Sequence, residues 1–149
     1  MNRGLFLDLG DTLVRVEDDE IYMDGAGEIE FLPHTVAVLQ ERGPQFDGVF
    51  VVTNQSGIAK GTLSLARSAS FIDQVNRAVG GLITDFWACP HLQSPYRKPN
   101  PGMLVGLADK HFIDLGTSVM VGDSSGDQQA AQSAGIGEFV WAHVFFGRS

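Results

Sequence analysis

Residues 3–13 have the sequence RGLFLDLGDTL, an apolar run that meets an aspartate and continues into a glycine-containing turn. A continuous apolar run is typical of a strand that is buried on both faces, as in a parallel sheet. Asp8 stands where this strand is expected to end. In open parallel sheets, ligands bind along the edge formed by the carboxyl ends of the strands. This stretch therefore predicts a parallel α/β fold and also the position of a site.

Short apolar runs alternate with longer segments of helical periodicity along the rest of the chain, which is the pattern of βα units around a mostly parallel sheet. Strands are predicted over residues 3–9, 48–53, 83–88, 118–122 and 137–141. Helices are predicted from Pro33 to Gly43, from Thr62 or Ser64 to Gly80, over residues 101–112 and over residues 126–134. The length of 149 residues and the hydrophobic share of 44% fit a single domain over residues 1–149.

The chain is acidic, with 18 Asp and Glu residues against 10 Lys and Arg residues and a formal net charge of −8. Such a charge disfavours binding to nucleic acid or to an anionic membrane surface. Most of the charge belongs to one region, because seven acids and no base lie between residues 17 and 30. We refer to residues 11–32, which contain this run, as the acidic segment.

The sequence gives no indication of export or of membrane insertion. No apolar run reaches the length of about 18 residues that a membrane span needs. The N-terminal apolar run is interrupted by Asp8 and Asp11, unlike that of a signal peptide. Cys89 is the single cysteine, so no internal disulfide can form. A cytoplasmic location is therefore expected.

Four polar stretches follow predicted strands or lie on the loops that leave them. They are residues 8–13, 53–57, 97–102 and 122–127. Taken alone, each could equally be a turn, a basic loop or a helix cap. Taken together, Asp8, Thr53, Lys98 and Asp123 lie 45, 45 and 25 residues apart, one in each βα unit. Because the carboxyl ends of parallel strands share one edge of a sheet, we expect the four stretches to meet there.

The residue types in these stretches suit an anionic ligand and a hard cation. The Thr53 hydroxyl and the backbone N–H groups that follow it can hold a phosphate. Arg97 and Lys98 precede a proline-stiffened helix start, whose own N–H groups also favour anions. Asp123 and Asp127 are four residues apart where a strand passes into a helix, so both carboxylates can reach one hard cation.

Four motifs of this sequence resemble those of the haloacid dehalogenase (HAD) superfamily of phosphohydrolases and related enzymes. They are DLGDT at residues 8–12, VVTNQSG at 51–57, RKPNPG at 97–102 and VGDSSGD at 121–127. Within the superfamily, TNQSGIAKG at 53–61, Cys89-Pro90-His91 and RKPNPGM at 97–103 look like the branch of histidinol phosphatases and heptose-bisphosphate phosphatases. The resemblance implies a three-layer α/β/α Rossmann-like fold with a mostly parallel central sheet, and a flap at the position of the acidic segment.

The resemblance also implies a role for each matching residue. Asp8 would be the nucleophile that attacks a phosphoryl group and forms an aspartyl phosphate. Mg²⁺ would be held by the Asp8 carboxylate, the backbone carbonyl of Gly10 and the Asp123 carboxylate. Thr53 and the backbone N–H of Asn54 would bind the phosphoryl oxygens of a small phosphorylated substrate.

The charged residues around these groups would support them in the same way. Lys98 would neutralise the charge that develops on the phosphoryl group and would restrain Asp8. Asp127 would orient Lys98 or a metal-bound water. Arg97 and Asp11 would have supporting places beside the site.

The sequence departs from the family pattern in two places. The family's phosphatases carry a second aspartate two residues after the nucleophile as general acid and base, and Gly10 stands there in this chain. Asp11 comes one residue later, and we expect its side chain to point away from the site. Cys89 and His91 lack the two further cysteines of the branch, so they cannot complete a four-ligand zinc site.

The predicted function is that of a Mg²⁺-dependent phosphatase for a small phosphorylated metabolite such as a sugar phosphate. Loss of acid–base help typically costs ~10²- to 10⁴-fold in rate, so turnover is expected to be slow. The spacing of the motifs leaves no room for an inserted cap domain, so the site is expected to be open. The alternative is a catalytically impaired module that binds a phospho-ligand or a partner. The sequence leaves open whether the chain is a monomer or a homodimer.

Overall fold

The computed structural model describes residues 2–55 and 57–149 of the chain. Its strands are β1 (Gly4–Leu7), β2 (Val16–Glu17), β3 (Glu20–Ile21), β4 (Gly48–Asn54), β5 (Asp85–Cys89), β6 (Val119–Gly122) and β7 (Glu138–Trp141). Its helices are α1 (Thr35–Arg42), α2 (Gly57–Lys60), α3 (Leu65–Ala78), α4 (Gly102–His111), α5 (Ser125–Ala134) and α6 (Ala142–Phe145). Short 3₁₀ turns occupy Gly43–Gln45 and Leu115–Thr117.

Five strands form one parallel sheet in the order β5-β4-β1-β6-β7, which confirms the predicted α/β fold. In the central strand β1, Leu7 is level with Val51 of β4 and with Val121 of β6. The chain proceeds from β1 to one side of the sheet and then returns to β6 on the other side. Beside such a reversal, the carboxyl ends of the two adjacent strands border a crevice where ligands bind in open α/β sheets.

Both faces of the sheet are covered, because successive side chains of a strand point to opposite faces. Leu5 and Leu7 belong to a core that is shared with α1, α3 and α6. Phe6 points the other way, into a core that is shared with α4 and α5. All four residues of β1 are buried, as its continuous apolar sequence predicts.

The longer helices begin and end close to the predicted boundaries, and their caps explain why. The Ser64 hydroxyl accepts a hydrogen bond of 3.1 Å from the backbone N–H of Arg67 at the start of α3. Gly135 ends α5 in the left-handed conformation, with φ of 81°. Phe112 ends α4 in the same region, with φ of 57°. Within the described residues, no helix combines the length and the apolar character that crossing a membrane requires.

The acidic segment contains an antiparallel hairpin, formed by β2 and β3, which the sequence pattern did not predict. Asp18 and Asp19 form its two-residue turn with positive φ of 53° and 62°, a conformation that suits the right-handed twist of a hairpin. The segment is tied to α3, because the Gln74 amide donates to the Gly27 carbonyl at 2.9 Å and accepts from the Ile29 N–H at 2.9 Å. These contacts hold the part of the acidic segment that follows the hairpin against α3.

Candidate active site

The polar residues that follow the strands converge on a cavity of about 230 Å³ at the carboxyl edge of the sheet. Its predicted lining residues are Asp8, Gly10, Thr53, Asn54, Lys98 and Asp127. Asp8 lies directly beyond β1, Thr53 lies near the end of β4, and Lys98 comes from the loop after β5. Ser56, in the middle of the predicted motif over residues 53–57, lies outside the described residues. The cavity therefore combines stretches that are far apart in the sequence.

Lys98 is the centre of the polar contacts in this cavity. Its ammonium donates to Asp8 Oδ1 at 2.6 Å, to Asp127 Oδ1 at 2.8 Å and to the Val52 carbonyl at 3.0 Å, so all three of its N–H groups have acceptors. The side chain is only 5% exposed. Burial by itself would lower the pKa of Lys98, but the charges of Asp8 and Asp127 and their hydrogen bonds raise it above its ordinary value. The ammonium is therefore a fixed positive charge.

The loop that carries Lys98 is held against β4 by the Asn54 side chain. The Asn54 amide donates to the Lys98 carbonyl at 3.0 Å, and the Lys98 backbone N–H donates to Asn54 Oδ1 at 3.0 Å. This reciprocal pair lies just before a cis peptide bond between Lys98 and Pro99. The Asn54 side chain thus positions the loop. The part of Asn54 that can bind a ligand is its backbone N–H.

Asp127 is saturated with hydrogen bonds and is 2% exposed. Beyond its contact with Lys98, its Oδ2 accepts from the Asp123 N–H at 3.1 Å and from the N–H and hydroxyl of Ser124 at 3.2 and 3.0 Å. Burial acts to raise the pKa of Asp127, but Lys98, Ser124 and the Asp123 N–H outweigh it and lower the pKa. A Cβ atom at Gly122 would lie 2.5 Å from the Asp127 Cβ, so only glycine allows this approach.

A group of three carboxylates can hold a metal ion at this edge. One oxygen from each of Asp8, Asp123 and Asp127 lies within 4.8 Å of the others. The Thr12 hydroxyl is 3.2 Å from Asp8 Oδ2 and 3.4 Å from Asp123 Oδ1, and it links the two side chains. Partial burial, then the hydrogen bond and charge of Asp8, raise the pKa of Asp123 to about 8. When all three carboxylates are ionised around one ammonium, a local excess of negative charge remains, which a hard cation would relieve.

Two predicted supporting residues lie outside the cavity lining. Asp11 is exposed and left-handed, with φ of 61°, and its backbone N–H donates to the Val14 carbonyl at 2.8 Å. Partial burial and the charge of Asp8 raise the pKa of Asp11. Arg97 lines a separate depression formed by residues 92–100, where its guanidinium lies 3.5 Å from the His91 carbonyl. Asp11 is therefore close enough to interact electrostatically with Asp8, whereas Arg97 lies on the loop after β5 and outside the cavity.

The hairpin and the start of α3 supply cavity residues that the sequence did not single out. They are Val16, Asp19, Glu20, Ile21, Thr62, Leu63, Arg67 and Phe71. A Cβ atom at Gly10 would lie 2.7 Å from Val16 Cγ2 and 3.2 Å from Ile21 Cδ1. The hairpin thus occupies the space that a larger side chain at position 10 would need. In the sequence, the run of acids was the one signal that this segment lies near the site. Strands of two residues are too short to show an alternation of apolar and polar residues.

The loop after β5 is organised by its own polar and aromatic contacts. Cys89 is buried, with its Sγ 4.0 Å from the His91 carbonyl. The Asn100 amide donates to the Ser94 carbonyl at 2.9 Å, and Tyr96 stacks on Trp87 with ring centroids 4.9 Å apart. Ser94 and Tyr96 thereby take part in holding the loop.

Comparison with known proteins agrees with the fold and identifies the family. A sequence model of the family described as polynucleotide kinase 3 phosphatase matches residues 5–144. A D-glycero-beta-D-manno-heptose-1,7-bisphosphate 7-phosphatase of Rhodopseudomonas palustris is 32% identical over 132 residues, which cover 79% of this chain and 73% of the relative.

Two solved structures extend the comparison to three dimensions. D,D-heptose 1,7-bisphosphate phosphatase from B. bronchiseptica, complexed with magnesium and phosphate, superposes with a TM-score of 0.80 at 29% identity and covers 91% of this chain and 78% of its own. A HAD-superfamily hydrolase of subfamily IA from Geobacter sulfurreducens has a TM-score of 0.60 at 14% identity, with coverage of 94% and 95%, and shows the shared fold.

The parallel sheet, the aspartate beyond β1 and the buried lysine that contacts it define a phosphohydrolase of the HAD superfamily. Within that class, the chain belongs to the polynucleotide kinase 3 phosphatase family and is of the heptose-bisphosphate phosphatase type. The resemblance carried by the four sequence motifs is thereby confirmed.

Proposed function

We propose that the protein is a Mg²⁺-dependent phosphatase that hydrolyses a sugar phosphate through a phosphorylated Asp8. The observation that carries the proposal is the Asp8 carboxylate at the cavity surface with the Lys98 ammonium held 2.6 Å from its Oδ1. The relatives of known activity act on phosphorylated heptoses, which supports a sugar as the alcohol half of the substrate.

The residues present fit a magnesium ion. Asp8 and Asp123 offer carboxylate oxygens within 4.8 Å of each other, and Asp123 is exposed, although it does not line the cavity itself. Hard oxygen donors of this kind are what Mg²⁺ prefers. Asp127 has both oxygens engaged by Lys98 and by donors at the start of α5, so its role is to orient Lys98. When bound, the ion would supply positive charge that lets an anionic carboxylate approach an anionic phosphoryl group.

In the proposed first step, an oxygen of Asp8 forms a bond to phosphorus while the bond from phosphorus to the sugar oxygen breaks. Thr53 and the backbone N–H of Asn54 bind the phosphoryl oxygens, and Lys98 compensates the charge that develops there. The departing alkoxide takes its proton from solvent water, because Gly10 offers none. In the second step, water attacks phosphorus and passes its proton to the solvent, the bond between phosphorus and Asp8 breaks, and phosphate leaves with the Asp8 carboxylate restored. Both steps lack a side chain at position 10 that moves protons, so we expect slow turnover.

We also propose that residues 1–149 act as one domain without a cap. The connection from β1 to β4 holds the hairpin and α1, and the connection from β4 to β5 holds α2 and α3. Ligands of such a unit bind at the carboxyl edge of the sheet, which is where the cavity lies.

The packing around Gly10 favours the second candidate, a phospho-ligand-binding module without turnover. Val16 and Ile21 fill the space where a general acid would stand. Such a module would keep the phosphate pocket of Thr53 and Lys98 and bind its ligand reversibly.

A screen of sugar phosphates for phosphate release, with and without Mg²⁺, tests the two candidates. We expect release with Mg²⁺ and its loss in Asp8→Asn, a change that removes the nucleophile at nearly constant shape. Asp109→Asn, an exposed acid on α4, is the matched control and should keep wild-type activity. Equal release by wild type and Asp8→Asn would overturn the phosphatase. Tight phosphate-ester binding without any release would establish the binding module.

A further inference from the structure

The two carboxylates of the hairpin that line the cavity give this site a substrate preference of its own. Resting on the proposed phosphatase function, we propose that the cavity takes a polyhydroxylated monophosphate and discriminates against a second phosphate group, with Asp19 and Glu20 as the specificity-determining residues. This differs from the bisphosphates named for the relatives.

Asp19 and Glu20 present hydrogen-bond acceptors and negative charge to the cavity beyond the phosphoryl-binding residues. Both line the cavity, and the Asp19 carboxylate makes no hydrogen bond within residues 2–55 and 57–149. Glu20 Oε1 accepts a hydrogen bond from the Thr62 hydroxyl, which joins the hairpin to the segment before α3. Ionised carboxylates accept hydrogen bonds and cannot donate them, so they suit hydroxyl groups and repel phosphate oxygens.

Gln55 gives an independent indication of a ligand in the same cavity. Its side chain lines the cavity and is only 5% exposed, and its Oε1 accepts from the Ser68 hydroxyl at 2.7 Å. Its Nε2 has no hydrogen-bond partner among the residues that the structure describes. A buried amide donor without an acceptor is costly, and a rotation of the Gln55 side chain toward the cavity would let a ligand oxygen satisfy it.

The two carboxylates and the Gln55 amide together indicate which chemical groups the ligand carries. Asp19 and Glu20 can accept hydrogen bonds from a ligand, whereas Gln55 Nε2 needs an acceptor. A hydroxyl group both donates and accepts, so a chain of hydroxyls satisfies the three side chains at once. A phosphate dianion satisfies Gln55 only and lies against two like charges.

The cavity lining that contains Asp19 and Glu20 also contains a cation, which would attract a second phosphate group. In the described part of the chain, Arg67 is the only basic side chain besides Lys98 that lines the cavity. The Arg67 guanidinium contacts Met23 Sδ at 3.3 Å. Its single charge offsets one of the two carboxylates, so this part of the wall keeps a net charge of about −1, which still opposes a dianion.

The test compares fructose 6-phosphate with fructose 1,6-bisphosphate at about pH 8, where both phosphates are dianions because their second pKa is about 6. We expect wild type to favour the monophosphate by roughly tenfold or more in kcat/KM. The double variant Asp19→Asn/Glu20→Gln should bring that ratio near one, mainly by improving the bisphosphate. Asparagine tolerates the left-handed conformation at position 19, and glutamine keeps an acceptor for Thr62.

The matched control is Glu17→Gln/Asp18→Asn, which removes two charges from the same hairpin at positions that do not line the cavity. It should leave the ratio within about twofold of wild type, because these two charges do not line the cavity and solvent screens them from a ligand bound there. A wild-type preference for the bisphosphate would overturn the proposal. So would an unchanged ratio in Asp19→Asn/Glu20→Gln, or an equal change in the control.

A binding experiment separates this proposal from the proposed activity. In the Asp8→Asn background, calorimetric Kd values for the two fructose phosphates report the discrimination without turnover. The same roughly tenfold preference for the monophosphate is expected, with the same response to the two double variants. If wild type hydrolyses neither ester nor p-nitrophenyl phosphate, the proposed function fails, while the Kd ratio still decides this inference: equal Kd values or tighter bisphosphate binding would overturn it.

Discussion

Lys98 illustrates how much a single side chain contributes to both stability and chemistry in this protein. The same ammonium that contacts Asp8 also compensates Asp127 and satisfies the Val52 carbonyl. Removing it would leave two carboxylates in a buried place without their counter-charge. The site and the core beneath it therefore depend on the same ion pairs.

We predict that Lys98→Met abolishes phosphate release and also lowers the free energy of unfolding by about 3–5 kcal/mol, because an unpaired buried charge remains. Urea unfolding in metal-free buffer measures the loss. Lys110→Met is the control, since its ammonium is also 2.8 Å from a carboxylate, that of Asp85, but its side chain is 67% exposed. That change should cost less than about 1 kcal/mol. Equal losses in the two variants would contradict the role assigned to burial.

The side chains of Val16 and Ile21 that pack over Gly10 lead to a second prediction. Gly10→Asp alone should destabilise the hairpin and give little gain in turnover, because its Cβ would meet Val16. Gly10→Asp/Val16→Ala provides the space as well as the acid, and we expect kcat to rise by ~10²-fold or more. Val16→Ala by itself is the control and should not raise kcat. A single Gly10→Asp variant that is stable and fast would show that the packing is not the obstacle.

The sequence could predict which residues come together because each polar stretch directly follows a strand, and parallel strands end at one edge. Asp8, Thr53, Lys98 and Asp127 do meet there. Arg97 could not be placed in this way, since neighbouring side chains on a loop point in different directions. Gln55 Nε2, which has no hydrogen-bond partner among the described residues, also has no sequence signature, because it depends on how the side chain packs against Ser68.

Among the elements, the edge strand β5 is joined to α4 by a carboxylate with several partners. Asp85 accepts from the Lys110 ammonium at 2.8 Å and lies 2.7 Å from His111 Nε2. It also accepts from the Phe86 N–H at 2.8 Å. Burial acts to raise the pKa of Asp85, but these hydrogen bonds outweigh it and hold the pKa below its ordinary value of 3.8.

This lowered pKa gives a pH-dependent prediction. Because the folded state binds the proton of Asp85 more weakly than the unfolded state, the resulting stability is present above pH 3.8 and is lost as the pH falls toward the folded pKa. The difference in unfolding free energy between wild type and Asp85→Asn should therefore be larger at neutral pH than in the acid range below 3.8. Urea titrations across this range measure it, and Asp109→Asn should show no such trend. A difference that grows on acidification would contradict the prediction.

The elements that could be predicted are those long enough to show periodicity or a buried run. The five strands of the sheet and the four longer helices belong to this group. The hairpin of β2 and β3 has strands of two residues and an Asp-Asp turn, so it lacks both alternation and the usual Asn-Gly signal. Helices α2 and α6 have four residues each, which is about one turn and too short for a hydrophobic stripe.

Much of the net charge of −8 is concentrated at one edge of the sheet. Asp8, Asp123 and Asp127 lie at that edge, and the hairpin adds Asp19 and Glu20. Folding brings these acids together at an electrostatic cost. A bound cation would offset part of that cost in the folded chain only.

We therefore predict that Mg²⁺ raises the thermal stability of the protein. At a concentration one hundred times its Kd, a ligand that binds only the folded state adds about 2.7 kcal/mol. Differential scanning calorimetry should show a higher Tm with Mg²⁺ and its return to the metal-free value with EDTA. Asp123→Asn should lose most of this response, whereas Asp109→Asn should keep it. A full increase of Tm with Mg²⁺ in Asp123→Asn would show that Asp123 is not a metal ligand.

The contact between Gly10 and the hairpin also bears on the order in which substitutions can accumulate. Because Val16 and Ile21 occupy the space above Gly10, we expect an aspartate at position 10 to be useful only together with a second substitution in the hairpin. Selection acting on single changes would then favour neither of the two. The effect of a substitution at position 10 thus depends on the residues at positions 16 and 21, which makes the three positions epistatic.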